Sequence, residues 1–195
     1  MTVTDIDVIN GALRKLGVDA ITTLADSVDA ARVASDTYAM LLDAVLVDAP
    51  WDFATTRAEI AVNVTAPDFG FDNAYDFPDG DPDPYCLLVR EIVNLSEYLW
   101  TVEGRQVLTN HGTPLQMIYT ARMEDEDEYS PQFIEALQSR LAAEWAEPLI
   151  KSSSVQKLAF KAYASKIAAA KTIEAGQSGL HEDTTDGAWV DSRLG

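Results

Sequence analysis

The chain has 195 residues and a formal charge of −18, from 14 Lys and Arg against 32 Asp and Glu, and 47% of it is apolar. Length and apolar content suffice for a globular core, while the charge repels phosphates and argues against gripping nucleic acid or an anionic membrane. No stretch approaches the ~18–20 apolar residues of a membrane span, and the single cysteine, Cys86, leaves no internal disulfide or thiolate metal cluster. Met1 to Asn10 lacks the basic cluster and apolar run of a secretory signal, so the expected compartment is a cytosol.

The spacing of Ile6, Ile9, Leu13 and Leu16 predicts a first helix over 4–16, capped by Thr4 with Asp7 three residues on and ended by Gly17. A short link carrying Ile21 and Leu24 follows. A second helix is expected over 27–49, with Ala34, Tyr38, Leu41 and Val45 as its apolar stripe and Pro50 as its stop. Ile60, Val62 and Val64 then alternate with Ala61 and Asn63, the pattern of a half-buried strand. Residues 66–85 carry four prolines, two glycines and six aspartates, the composition of a long acidic loop. Strands are expected over 86–95, 98–102, 106–110 and 115–122, with a hairpin turn at Gly104.

Five consecutive acids, Glu124 to Glu128, read as a solvated linker before the helices return. Ser130 followed by Pro131 starts the third helix, whose ridge is Phe133, Leu137, Leu141, Trp145 and Leu149, with Pro148 kinking or ending it. A fourth helix is expected over 153–175, burying Val155, Leu158, Ala162, Ala169 and Ile173 on one side. It is the basic element of the chain, with four lysines and no acid before Glu174. The expected fold class is α+β: a four-helix bundle made of residues 1–50 and 129–176, with a mainly antiparallel β domain inserted at 51–128. Residues 177–195 read as a polar tail, unstructured in the free monomer.

Residues able to carry chemistry are few. His111 lies in a turn composition and His181 in the tail. Cys86 opens an apolar strand, where cysteine packs as a small hydrophobe, so a Cys86–His111 nucleophile pair is disfavoured. In the loop Asp79-Gly80-Asp81-Pro82-Asp83 the glycine falls at the second position, not the sixth, so it is no EF-hand. No phosphate-binding glycine loop is present. The expectation is therefore a protein that is not an enzyme, with no catalytic residue, metal or cofactor. Two features suit assembly: Pro50, Trp51, Phe53 and Arg57 as a domain-junction plug or a subunit contact, and Trp189 with Arg193 as an interface anchor.

In several segments the chain resembles the head-to-tail adaptor family, or tail tubular protein A, of short-tailed bacteriophages. The matching stretches run in order: 9–17 with Ile21 and Leu24, 49–54 with Arg57, 102–105, 133–137, 140–144, and the closing Trp189 and Arg193. The family tends to pass from an aromatic-Leu-Pro-Asp step straight into the next strand, whereas here Phe77-Pro78-Asp79 is followed by Gly80 to Tyr85, which puts that loop's contacts in doubt. The resemblance implies a structural virion protein, twelve copies forming a ring between the portal and a tail nozzle protein, with tail fibres or spikes nearby. It places the protein in the virion tail after assembly in the host cytoplasm. It makes Trp189, Val190, Arg193 and Leu194 candidate portal contacts, and the ring a conduit through which DNA passes without specific binding. Alternatives are a head-completion connector of a long-tailed phage and an acidic DNA-mimic binding protein.

Overall fold

The computed structural model describes residues 3–81, 83–93, 95–96, 99–112 and 114–177. The fold is α+β, with four helices and two three-stranded antiparallel sheets among the described residues. Helices α1 (Asp5–Leu16) and α2 (Asp29–Asp48) precede strands β1 (Thr55–Ile60), β2 (Asn73–Asp76), β3 (Cys86–Ile92), β4 (Trp100–Glu103), β5 (Gln106–Thr109) and β6 (Leu115–Ala121). Helices α3 (Pro131–Ile150) and α4 (Ser153–Gln177) follow.

The helix ends follow the local chemistry. Thr4 and Asp7 form a reciprocal capping box at α1, and Gly17 closes that helix in the left-handed conformation at φ 70°. The Ser130 hydroxyl accepts from the Phe133 N–H at 3.2 Å, with Pro131 at the first position of α3. Pro148 does not end α3, which runs on to Ile150 and closes at Lys151, φ 52°. Between α1 and α2, the Asn10 side chain clamps the link from both sides: its amide donates to the Ile21 carbonyl and its oxygen accepts from the Ile21 N–H, both at 2.9 Å. That holds Ile21 buried in the helical core.

Helix α3 touches each of the other three helices. Phe133, Leu137, Leu141 and Trp145 are fully buried, and each contributes roughly 1.5–3 kcal/mol by its removal from water. Trp145 donates its indole N–H to the Thr37 hydroxyl of α2 at 2.9 Å. Where α1 crosses α3, a Cβ on Gly11 would lie 2.1 Å from the Gln138 amide nitrogen, so the bare glycine admits that side chain.

The β domain consists of two sheets, ordered β1-β6-β3 and β2-β5-β4. Tyr75 and Val107 from one meet Cys86, Ile92, Met117 and Tyr119 from the other in a shared core. The strand expected at 60–64 lies earlier, at Thr55–Ile60, because its partner ends: Ile60 pairs with Leu115, the first residue of β6. Beyond it the chain crosses to the second sheet, where the Asn63 N–H donates to the Ala74 carbonyl at 2.8 Å. The acidic loop expected at 66–85 contains β2, whose short span pairs with β5 through Asn73↔Thr109 to Asp76↔Gln106. Its aspartates hid a four-residue strand whose buried residues are Ala74 and Tyr75. The acids at 124–128 form a 3-10 turn at Glu126–Glu128 that delivers Tyr129 into the helical core.

Helix α4 packs Val155 against the core as expected, but beyond it turns a different face inward. Tyr163, Ile167 and Ala170 are buried, with Ala159 packed beside them, whereas Leu158, Ala162, Ala169 and Ile173 are exposed. The inward stripe carries an aromatic ring and the Tyr163 hydroxyl, which donates to Asp48. Lys166, which seemed to interrupt the stripe, reaches across to Glu135 of α3.

Candidate functional site

The junction between helices and sheets holds most of the residues singled out from the sequence. Trp51 is 2% exposed and donates its indole N–H to the Val45 carbonyl at 2.9 Å. Its ring meets Phe133 edge-on at 5.1 Å, and Phe53 meets Phe133 at 4.9 Å and Tyr129 at 5.5 Å. Pro50 is half-buried before this cluster, and the short 3-10 turn Asp52–Ala54 begins after Trp51 and carries Phe53 as its middle residue. Such edge-to-face pairs contribute beyond their buried area, about 0.5–1.5 kcal/mol each. Trp51 and Phe53 therefore hold the start of α3 against the end of α2. Arg57 stands apart, exposed on β1 opposite Ile118.

Of three arginines that the sequence did not single out as site residues, Arg90 and Arg122 tie the two regions together and Arg105 ties the rim within the β region. Arg90 of β3 donates to the Val47 and Ala49 carbonyls, both at 3.0 Å, and to the Thr120 hydroxyl at 2.7 Å, so a cation satisfies the last turn of α2. Arg122 pairs with Asp43 of α2 and lies over the Tyr85 ring at 4.6 Å. Arg105 lies over the other carbocycles of the rim, 4.1 Å from the Tyr85 centroid and 5.4 Å from that of Phe77, and donates to the Cys86 and Pro78 carbonyls. The one signal for them in the sequence was isolation, since Arg90 breaks a cation-free stretch from Ala58 to Val89.

Cys86 and His111 are not brought together. Cys86 pairs with Ala121 in one sheet, while His111 follows β5 in the other. Burial pushes the Cys86 thiol up to about 11, against a smaller opposing pull from Arg105, so it stays protonated and unreactive. The Tyr119 hydroxyl, pushed up to about 12 by burial, donates to the Pro84 carbonyl at 2.9 Å and pins the rim loop. Among the described residues no three His, Cys, Asp or Glu side chains cluster so as to hold a metal. An open hollow of about 1050 Å³ lies under the loop 61–71, lined by Val62, Phe71 and Leu108 with Asp68, Asp76 and Glu103 at its margin. Its acids lack a basic or nucleophilic partner among the lining residues. Among the described residues no helix is long and apolar enough to cross a membrane.

No protein-family model matches this chain, and no curated protein matches it. The residues quoted for the adaptor resemblance divide between interior and surface: Gly11, Trp51 and Phe133 are buried, whereas Arg57, Arg105 and Glu135 are exposed. Asn10 and Gly11 fix the first helix, Trp51 and Phe133 the junction, Arg105 the rim, and Glu135 and Arg140 the seam with α4. Trp189, Val190, Arg193 and Leu194 lie outside the described residues, as does the tail 178–195.

Proposed function

We propose that this chain is a structural subunit of a short-tailed phage: a head-to-tail adaptor that forms a ring between portal and tail nozzle, on which tail fibres or spikes assemble. In this reading the four helices form one bundle, the β region is its inserted arm, and DNA passes through the lumen without being gripped. The observation that carries it is the outward surface of the helices. Leu158 is 68% exposed, Ile173 49% and Met40 65%, all on helices whose inner faces are fully packed. Large apolar side chains left in water on a folded domain suit surfaces made for neighbours. The order of the matching stretches along the chain supports the family, and the −18 charge supports a conduit that does not hold phosphates.

The test mixes the full chain with the portal protein of the same phage and measures the mass of the complex. A ring-sized increment, lost when residues 188–195 are removed, supports the adaptor. A mixture that shows no association overturns it. Displacement of DNA from a nucleic-acid enzyme, with no gain in portal mass, assigns the chain instead to the acidic mimics.

A further inference from the structure

A hollow of about 200 Å³ opens beside the aromatic plug, walled by Trp51, Phe53 and Ile173, with Asp52 and Glu128 also lining it. Its apolar wall is left incomplete: Phe53 is half-buried, and Ile173, near the end of α4, is 49% exposed. Both acids are exposed, and neither takes part in an ion pair among the described residues. An apolar recess bordered by free carboxylates suits an aromatic ring with a cation beside it.

The chain carries such a pair close at hand. Helix α4 ends at Gln177, about 6 Å along its axis beyond Ile173 at ~1.5 Å per residue. Residues 178–195 follow, and in them Trp189 is the single Trp, Tyr or Phe and Arg193 the single Lys or Arg. A spacing of four brings two side chains to one face of a helical turn and leaves Asp191 on the other. The remaining acids of the segment, Glu182, Asp183 and Asp186, fall in the stretch that joins α4 to Trp189 and need not approach Asp52 or Glu128. That stretch spans up to ~40 Å when extended, so it reaches back over the last turns of α4 with slack.

We infer that this hollow is the seat of the chain's own C-terminal segment, with the Trp189 ring against Ile173 and Phe53 and the Arg193 guanidinium beside Asp52 and Glu128. Attachment favours this occupant over a free partner, because a tethered segment acts at an effective concentration on the order of millimolar. Charge favours it as well: the chain is strongly acidic, so the body of a second copy brings mostly like charge to Asp52 and Glu128, whereas Arg193 brings the opposite sign. The seated residues are the candidate portal contacts, so the hollow holds them until the portal competes for them. That competition rests on the adaptor reading above, whereas the seat itself does not.

Full-length chains carrying Gln132→Cys together with Val190→Cys are treated with a thiol oxidant at low and high protein concentration. Gln132 is exposed and lines the hollow, while Cys86 is buried and does not compete. The expected product is an internally cross-linked monomer whose yield does not change with concentration. Lys157→Cys with Val190→Cys is the comparison, since Lys157 is exposed and lies about 24 Å from Ile173 along α4 at ~1.5 Å per residue. Its yield should be lower by about tenfold or more, as expected for a segment concentrated at the hollow. Adding Trp189→Ala or Arg193→Glu to the Gln132→Cys chain should each lower the yield about tenfold, the effect of removing an anchor. Equal yields at the two positions overturn the inference, as does a yield that neither tail substitution changes. Cross-linked dimers that grow with concentration make another copy's tail the occupant and also overturn it. With the portal protein of the same phage, ring mass should appear as the cross-link disappears. Ring mass with the cross-link intact removes the competition and keeps the seat, and the cross-link without any portal mass keeps the seat and removes the adaptor reading.

Discussion

Around α3 the core is deep: side chains of four helices, the link residue Ile21 and the junction ring Trp51 all bury against one another. Between the two sheets the core is thin, because each sheet has three strands and the strands of the second are four residues long. The helical region can lose one contact and keep its neighbours. The β region relies on Tyr75, Tyr119 and Ile92 meeting across a narrow gap, and on arginines that anchor it to α2. The difference shows where rigidity comes from. One region is held by apolar volume, the other by a few charge-assisted hydrogen bonds to a neighbour that is already stable.

The sharpest way to break this contrast is Phe133→Ala, which removes the ring at the centre of the aromatic plug. A loss of about 3–5 kcal/mol is expected in denaturant unfolding, with both regions unfolding together if the plug couples them. Next comes a matched pair on α4. Ile167→Ala should cost roughly 2–3 kcal/mol as a buried aliphatic truncation, whereas Leu158→Ala on the outer face should change monomer stability by less than about 0.5 kcal/mol. Equal costs for the two would mean that the faces of α4 are wrongly assigned.

Arg90→Ala removes the donor to the Val47 and Ala49 carbonyls, and a loss of about 1.5–3 kcal/mol is expected for bonds made by a charged group. Hydrogen exchange should report it as faster opening of the sheets with α1 and α3 little changed. Asp43→Asn should act in the same direction but less, about 0.5–1 kcal/mol, because its pair with Arg122 is partly open to water.

The smallest effects are pH limbs, and they fall on different sides. Asp26 is held at about 2, below its usual 3.8, first by the backbone N–H of Thr22 and then by that of Thr23. Its contribution is present above the ordinary value and is lost as pH falls toward 2, so Asp26→Ala should flatten the acid limb of a stability profile. Burial raises the hydroxyls of Tyr38, Tyr119, Tyr129 and Tyr163 above their usual 10. Their neutral forms stabilise the fold below pH 10, and that stability is lost as pH rises above it. Phenolate absorbance should therefore appear together with unfolding in alkali, and a phenolate signal well ahead of unfolding would contradict the burial of these rings.

Much of the helical half could be read directly from the chain. Thr4 with Asp7, Ser130 with Pro131 and the four-residue spacing from Phe133 to Trp145 each act within a turn or two, and each lies where expected. Gly104, at φ 60°, turns the β4–β5 hairpin as its position between two short strands implied. The rest was hidden for identifiable reasons. The segment 73–76 is too short to show alternation against six aspartates, and becomes a strand only because β5 lies alongside. The alternation at 60–64 was real, but the ladder had ended at Leu115.

Composition, capping residues and local spacing thus determined that this chain makes four helices around an antiparallel β region, because those signals act over a few residues. The tertiary structure alone decided that the strands divide between two sheets, that Arg90 and Arg122 bind them to α2, and which stripe of α4 lies inside. Both stripes of that helix repeat at helical spacing, so periodicity cannot rank them. Tyr163 reaching Asp48 and Lys166 reaching Glu135 fix the rotation, and both partners lie on distant parts of the chain.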